Sequence, residues 1–155
     1  MRVGVGYDSH RFVAGRPLVL GGVEIPHPEG LAGHSDADVV AHALLDALSG
    51  AAGLPDIGTL FPNTDPRWQG ADSIKLLAQA YLMAVESRLR FVNADVVVIA
   101  ERPRLAPHID RMKDRLAAAF VAGPSQVSVK GKTNEGMGFV GRGEGIAAIA
   151  VVALE

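Results

Sequence analysis

Residues 146–154, IAAIAVVAL, are apolar at every position. A strand with water on one side alternates apolar and polar residues, whereas one that is apolar throughout is covered on both faces. This segment therefore belongs to a sheet with something packed on each side. The remaining strands are short: Val3 and Val5 alternate in RVGVGYD, PLVLGGVEIP (17–26) reads as a hairpin around Gly21-Gly22, and ADVVVIA (94–100) and SQVSVKG (125–131) are rich in valine. Three helical patterns separate them. One runs over roughly 36–52. A second, capped by Asp72 or Ser73, carries Ile74, Leu77, Ala78, Tyr81 and Val85 at helical spacing. A third opens at Pro107, carries Ile109, Met112, Leu116 and Phe120, and ends at Gly123-Pro124. Residues 94–130 form a β-α-β unit with a right-handed crossover. The expected fold is α/β (α+β): one domain, 1–155, a two-layer sandwich of a mixed sheet with helices on one face. Those helices cover one face of strand 146–154. The other face calls for a further copy of the chain.

The formal net charge of −2 gives no electrostatic footprint for nucleic acid. With no cysteine in 155 residues, disulfides and thiolate metal sites are excluded, and any metal must be held by His, Asp and Glu. No apolar run approaches the roughly 20 residues of a membrane span. The first residues, MRVGVGYDSHRF, lack the apolar region of a signal peptide, so no membrane partner and a cytoplasmic location are expected.

Within AGHSDADVVAHALLDAL (32–48), helical spacing puts Val40, Ala43, Leu44, Ala47, Leu48 and Ala51 on one face and Asp38, His42 and Asp46 on another. Asp8 and His10 flank Ser9 just after the first strand, and side chains two apart in extended backbone point the same way. Asp8, His10 and His42 could thus make a three-ligand site with an open position, the pattern of catalytic zinc, with Asp46 or Asp38 accepting from the free nitrogen of His42. On spacing alone, the same residues also read as turn residues and an exposed helix histidine. His27 and His108 have no such partners and read as surface residues. Residues 53–72 form a long polar loop anchored by Trp68, the one tryptophan. GMGFVG (136–141) matches a dinucleotide fingerprint formally, but a strand rather than a helix follows it, so it reads as a glycine-rich turn beside Arg142.

Taken together, GYDSHRF (6–12), GHSDADVVAHALLDALSGAAGLPDIGTLFPNTDP (33–66), GADS (70–73) and KTNEGMGFVGRGEG (132–145) closely resemble the 2-C-methyl-D-erythritol 2,4-cyclodiphosphate synthase family, in order and over essentially the whole chain. The resemblance implies conversion of 4-diphosphocytidyl-2-C-methyl-D-erythritol 2-phosphate to the cyclic diphosphate and CMP, in the non-mevalonate route to isoprenoids. It implies a homotrimer with sites between adjacent subunits. By similarity, Asp8, His10 and His42 bind Zn²⁺ or a similar divalent metal, and Glu135 binds Mg²⁺ or Mn²⁺ on the substrate diphosphate. His34 and Ser35 contact phosphates, with His34, Thr133 and Glu135 near the transferring group. Asp56, Ile57 and Gly58, with Phe61, Pro62, Asn63, Thr64 and Asp65, surround the methylerythritol phosphate part, and Ser9, between Asp8 and His10, also binds substrate. Ala100, Glu101, Arg102, Pro103, Arg104, Leu105 and Ala106, with Lys132 and Thr133, form the cytidine pocket. Asn134, Phe139 and Arg142 complete the loop near the phosphates. Asn63 and Lys132 stand where the family pattern commonly has Asp and Thr. The alternative on the same residues is a metal-dependent phosphohydrolase, in which water attacks.

Overall fold

The computed structural model describes residues 1–155. Its strands are β1 (Arg2–Ala14), β2 (Leu18–Leu20), β3 (Val23–Ile25), β4 (Glu29–Leu31), β5 (Phe91–Ile99), β6 (Val127–Lys132) and β7 (Gly145–Leu154). The helices are α1 (Val39–Ala52), α2 (Ile57–Leu60), α3 (Ser73–Glu86), α4 (Ile109–Ala119) and α5 (Gly138–Gly141). Five strands form one sheet in the order β4-β1-β7-β5-β6, with β2 and β3 as a separate hairpin. The doubly apolar β7 is central, antiparallel to β1 and β5, while β5 and β6 are parallel and joined through α4.

One sheet face carries the helices. There Ile146, Ala148, Ala150, Val152 and Leu154 of β7 are buried with Val96 and Val98 of β5. The opposite face is bare. Val3, Val5 and Tyr7 are 55–69% exposed, and Ile149 and Val151 are about 40% exposed beside them. The valines of RVGVGYD thus point away from the helices, and the residues facing α1 are Gly4 and Gly6. A Cβ on Gly4 would lie 1.9 Å from the Ala47 carbonyl oxygen, and one on Gly6 2.0 Å from that of Ala43. Two glycines two apart let the α1 backbone lie directly on β1. That contact sets how near His42 comes to Asp8 and His10 in the middle of the strand.

Helix α1 begins at Val39, three residues later than the sequence pattern suggests. Asp38 is the reason: it is fully buried and caps the helix, accepting from Val40 N–H and Ala41 N–H, both at 3.1 Å. The same carboxylate accepts from Gly21 N–H (2.8 Å) and Gly22 N–H (2.6 Å), so it also pins the β2–β3 turn. Asp72, one of the two expected caps, starts α3. The buried stripe of α3 is rotated from the expected one. It runs through Ile74, Leu77, Ala80, Tyr81 and Ala84, leaving Val85 45% exposed, because Phe91 and Phe120 stack where Tyr81 packs. The long 53–72 loop contains α2 and a 3-10 turn at Pro66–Trp68, and Trp68 packs edge-on against Phe61. His27 is half-buried and stacked on Phe12 rather than simply at the surface. No helix is long and apolar enough to cross a membrane.

Candidate functional site

Asp8 and His10 lie inside β1, which runs on to Ala14 instead of ending before them as the sequence suggests, and their side chains project on its helix side, where α1 presents His42. Asp8 Oδ2 lies 2.8 Å from His10 Nε2 and 3.1 Å from His42 Nδ1, and the two nitrogens are 3.1 Å apart. Three ligand atoms therefore face one point. Burial pushes the Asp8 carboxyl up, but hydrogen bonds and charge from His10 and His42 outweigh it and hold Asp8 well below the usual carboxylate range. For His10, burial opposes protonation, yet the Asp8 hydrogen bond and charge win and raise its pKa above the ordinary value.

The outer ring nitrogens test whether the trio suits a metal. His10 Nδ1 is 2.5 Å from the Ala32 carbonyl oxygen, which only accepts, so a neutral His10 keeps its proton there and turns the Nε2 lone pair inward. His42 Nε2 lies 2.9 Å from Ser73 Oγ and 3.0 Å from Ser35 Oγ. The Ser73 hydroxyl donates to the Asp36 carboxylate, so its oxygen is free to accept from His42 Nε2–H. That leaves the His42 Nδ1 lone pair facing inward as well. Both tautomers are those of a ligand, and the triangle's roughly 3 Å edges suit a tetrahedral ion with bonds of about 2.0–2.1 Å. The residues fit a divalent metal.

The trio opens into a cleft of about 370 Å³ lined also by His34, Ser35, Ile57, Gly58, Phe61, Asn63, Trp68 and Leu76. Asp56 caps α2 through Thr59 N–H, and Asp46 of α1 accepts from Ile57 N–H at 2.9 Å, tying this loop to the helix that carries His42. Asp65 pairs with Arg67, and its carbonyl lies 3.2 Å from His34 Nε2. Pro62, Thr64 and Asp65 flank the cleft without lining it. Ser9 alternates to the exposed side of β1, away from Asp8 and His10.

A second cleft, about 410 Å³, lies at the carboxyl ends of the parallel strands β5 and β6. Ala100, Glu101, Arg102, Pro103, Arg104, Leu105 and Ala106 line it with Lys132 and Thr133. Glu101 braces the following loop by accepting from Asn134 N–H (2.8 Å) and Gly136 N–H (3.3 Å). Thr133 Oγ1 donates to Glu135 Oε1 at 2.9 Å. Phe139 is on α5, and Arg142, just after it, pairs with Glu144. The two clefts share no lining residue: Thr133 lines the second, the Asp8–His10–His42 trio lines the first, and Glu135 lines neither.

The YgbB family model matches residues 1–155. The chain is 59% identical over 151 residues, 97% of its length and 96% of the relative's, to a 2-C-methyl-D-erythritol 2,4-cyclodiphosphate synthase of Symbiobacterium thermophilum. The chain belongs to the YgbB family. It is also 54% identical to the Geobacter sulfurreducens synthase, with 100% of this chain and 99% of that one covered. A solved CDP-bound synthase of the same name superposes with a TM-score of 0.91 at 41% identity, over 99% of this chain and 100% of that one. The bifunctional IspDF of Campylobacter jejuni superposes with a TM-score of 0.95 at 42% identity, and there this chain spans 99% of itself but 42% of the longer protein.

Two parts of this YgbB site were not foreseen. The acceptor behind His42 is Ser73, backed by Asp36, and not Asp46 or Asp38. Helical spacing suggested the latter pair, but Asp38 is consumed as a cap and Asp46 holds the α2 loop. Asp36 and Ser73 lie 37 residues apart, with the whole of α1 between them. Their signal was present only as the motifs GHSDAD and GADS.

Proposed function

We propose that this chain converts 4-diphosphocytidyl-2-C-methyl-D-erythritol 2-phosphate into 2-C-methyl-D-erythritol 2,4-cyclodiphosphate and CMP. An oxygen of the 2-phosphate bonds to the β-phosphorus while the bond from that phosphorus to the CMP oxygen breaks, so no water is consumed. The observation that carries this reading is the cleft in which Asp8, His10 and His42 converge beside the His34–Ser35 loop, in a chain whose full-length relatives bear the synthase name. The phosphohydrolase alternative is not supported by those relatives.

The nucleophile asks little of the protein. A phosphate monoester has its second pKa near ~6, so it is mostly dianionic at neutral pH and needs no general base. What must be supplied is position and positive charge. Asp8, His10 and His42 would hold one divalent ion, zinc by their donor set, and Glu135 a second, magnesium or manganese. When bound, such ions neutralise the approaching phosphates and polarise the phosphorus. His34 and Ser35 hold the phosphates at the mouth of the trio. Asp56, Ile57, Gly58 and the 61–65 segment fold the methylerythritol part into its ring-closing pose, a placement worth roughly 7–11 kcal/mol at best. The 100–106 segment with Lys132 and Thr133 takes the cytidine; a solved relative with bound CDP supports a cytidine nucleotide as the ligand.

In this reading the complete site joins the first cleft of one subunit to the second cleft of its neighbour, as the family resemblance implies; that the two clefts share no lining residue supports it. The bare apolar face of β1 and β7 supplies the surface for a homotrimer. A cytoplasmic location accords with this substrate. Incubation with the cytidyl substrate and Mg²⁺ tests the reading: equal amounts of CMP and cyclic diphosphate are expected. Linear phosphates, or no release of CMP, would overturn it.

A further inference from the structure

The segment carrying His34 and Ser35 has no secondary structure of its own, yet it aims two side chains into the cleft. Buried or half-buried backbone carbonyls must find donors. All four carbonyls from Ala32 to Ser35 have a partner, those of Ala32, His34 and Ser35 in half-buried or buried residues and that of Gly33 in an exposed one. The Ala32 carbonyl faces His10 Nδ1, and the His34 carbonyl accepts from Gly70 N–H at 2.8 Å. The Gly33 and Ser35 carbonyls accept from the two terminal nitrogens of one side chain, Arg16, both at 2.5 Å. The guanidinium therefore straddles His34, binding the residue before it and the residue after it.

The mount for that side chain is stiff. Gly15 turns the chain in the left-handed region (φ +81°) immediately after β1. The next two carbonyls press on β4: a Cβ on Gly30 would lie 2.3 Å from Pro17 O and 2.6 Å from Arg16 O. The segment being held carries backbone strain, because Ala37 sits at φ +59° and is fully buried. Without the fork, the Gly33 and Ser35 carbonyls lose their partner and nothing else reaches across His34.

We propose that Arg16 is a positioning residue for the phosphate-transfer site: its planar fork fixes the orientation of His34 and Ser35 without touching substrate. This rests on the activity proposed above. Lysine is a poor substitute, since one ammonium on a flexible stem replaces two fixed, coplanar donors.

Two measurements test this on the full-length protein. In the first, Arg16→Ala lowers kcat about tenfold or more, the scale of loss from sub-ångström to ångström misplacement. CDP affinity stays at the wild-type value, because the second cleft comes from other segments, and metal affinity falls less than kcat, because the ligands Asp8, His10 and His42 lie outside the segment, which meets them only through Ala32 O and Ser35 Oγ. Arg16→Lys recovers only part of kcat. A kcat unchanged in Arg16→Ala, or fully restored in Arg16→Lys, would overturn the proposal, the second because a charge alone would then suffice. In the second, which needs no turnover, hydrogen exchange is followed by mass spectrometry. The hydrogen-bonded amides of Asp36, Ala37 and Gly70 exchange faster in Arg16→Ala while α1 and β7 stay protected. Unchanged exchange in that segment would overturn the clamp. A wild-type protein without turnover would count against the proposed activity and leave the exchange result to decide the clamp.

Discussion

Ser73, the first residue of α3, donates its hydroxyl to the carboxylate of Asp36 and lies 2.9 Å from Nε2 of His42. A carboxylate, a hydroxyl and an imidazole stand in a row, and the far nitrogen of that imidazole looks into the Asp8–His10 pair. Asp36 also accepts from Ser73 N–H at 3.0 Å, so the start of α3 and the ring of His42 are fixed by the same group.

Ser73→Ala removes the middle of this row. It should weaken divalent-metal affinity about 10–100-fold, the usual effect of losing a ligand's hydrogen-bond partner. Ser35→Ala should cost less, because the Ser73 contact remains. Competition with a chelating metal indicator measures both. Equal and negligible effects would mean that the hydroxyls do not set the tautomer of His42.

Metal binding should strengthen with pH. In the metal-free protein Asp8 is held ionised by His10 and His42 against its burial, and His10 has a raised pKa because of Asp8. The stability this pair contributes is fully present below the ordinary histidine value of 6.5 and is lost as pH rises through the raised pKa of His10. An incoming ion must displace that proton. The rise in Tm on adding Zn²⁺ to chelator-stripped protein should therefore grow between about pH 6 and pH 8. A pH-independent rise would show that no proton is displaced.

The close seat of α1 makes two backbone-level predictions. Gly6→Ala drives a methyl into the Ala43 carbonyl and cannot be relieved by a rotamer change. It should cost about 1–3 kcal/mol and, by lifting His42 away from Asp8 and His10, also weaken metal binding. Asp38→Ala strands four buried N–H donors on two elements and should cost about 3 kcal/mol or more. Urea unfolding of metal-free protein measures both.

These cases show what could be read from residues alone. The unbroken apolar run of β7 and the two-residue spacing of Asp8 and His10 are local signals, but spacing leaves the Asp8–His10–His42 trio open beside a reading as turn and helix residues, and it is the resemblance to the synthase family that singles the trio out. The roles of Gly4 and Gly6 have no such signal, because RVGVGYD looks like a strand with valines inward until the bare sheet face is seen. Helical spacing sets Asp38 on the face of His42, and its place as the cap of α1 shows only in the structure. Its second function, reaching back to Gly21 and Gly22, depends on tertiary packing. The Asp36–Ser73 contact and the Arg16 fork join segments distant in sequence, and no spacing rule connects them.

The last prediction concerns the shared site. If the trio of one subunit works with residues 100–106, Lys132 and Thr133 of its neighbour, two different inactive variants should rescue each other. His42→Ala spoils only the first cleft, and Thr133→Arg, which fills the second with a long cation, spoils only that one. Each alone should be inactive. Unfolded, mixed in equal amounts and refolded, they should form about three quarters mixed assemblies if the protein is the proposed homotrimer. In a closed three-fold ring every mixed trimer has one junction where an intact first cleft meets an intact second cleft. About a quarter of the activity of identically refolded wild-type protein should return. Native mass spectrometry confirms that mixed trimers are present. If they are and the mixture stays inactive, each subunit carries its whole site, and the separation of the two clefts in one chain must be closed by a movement within it.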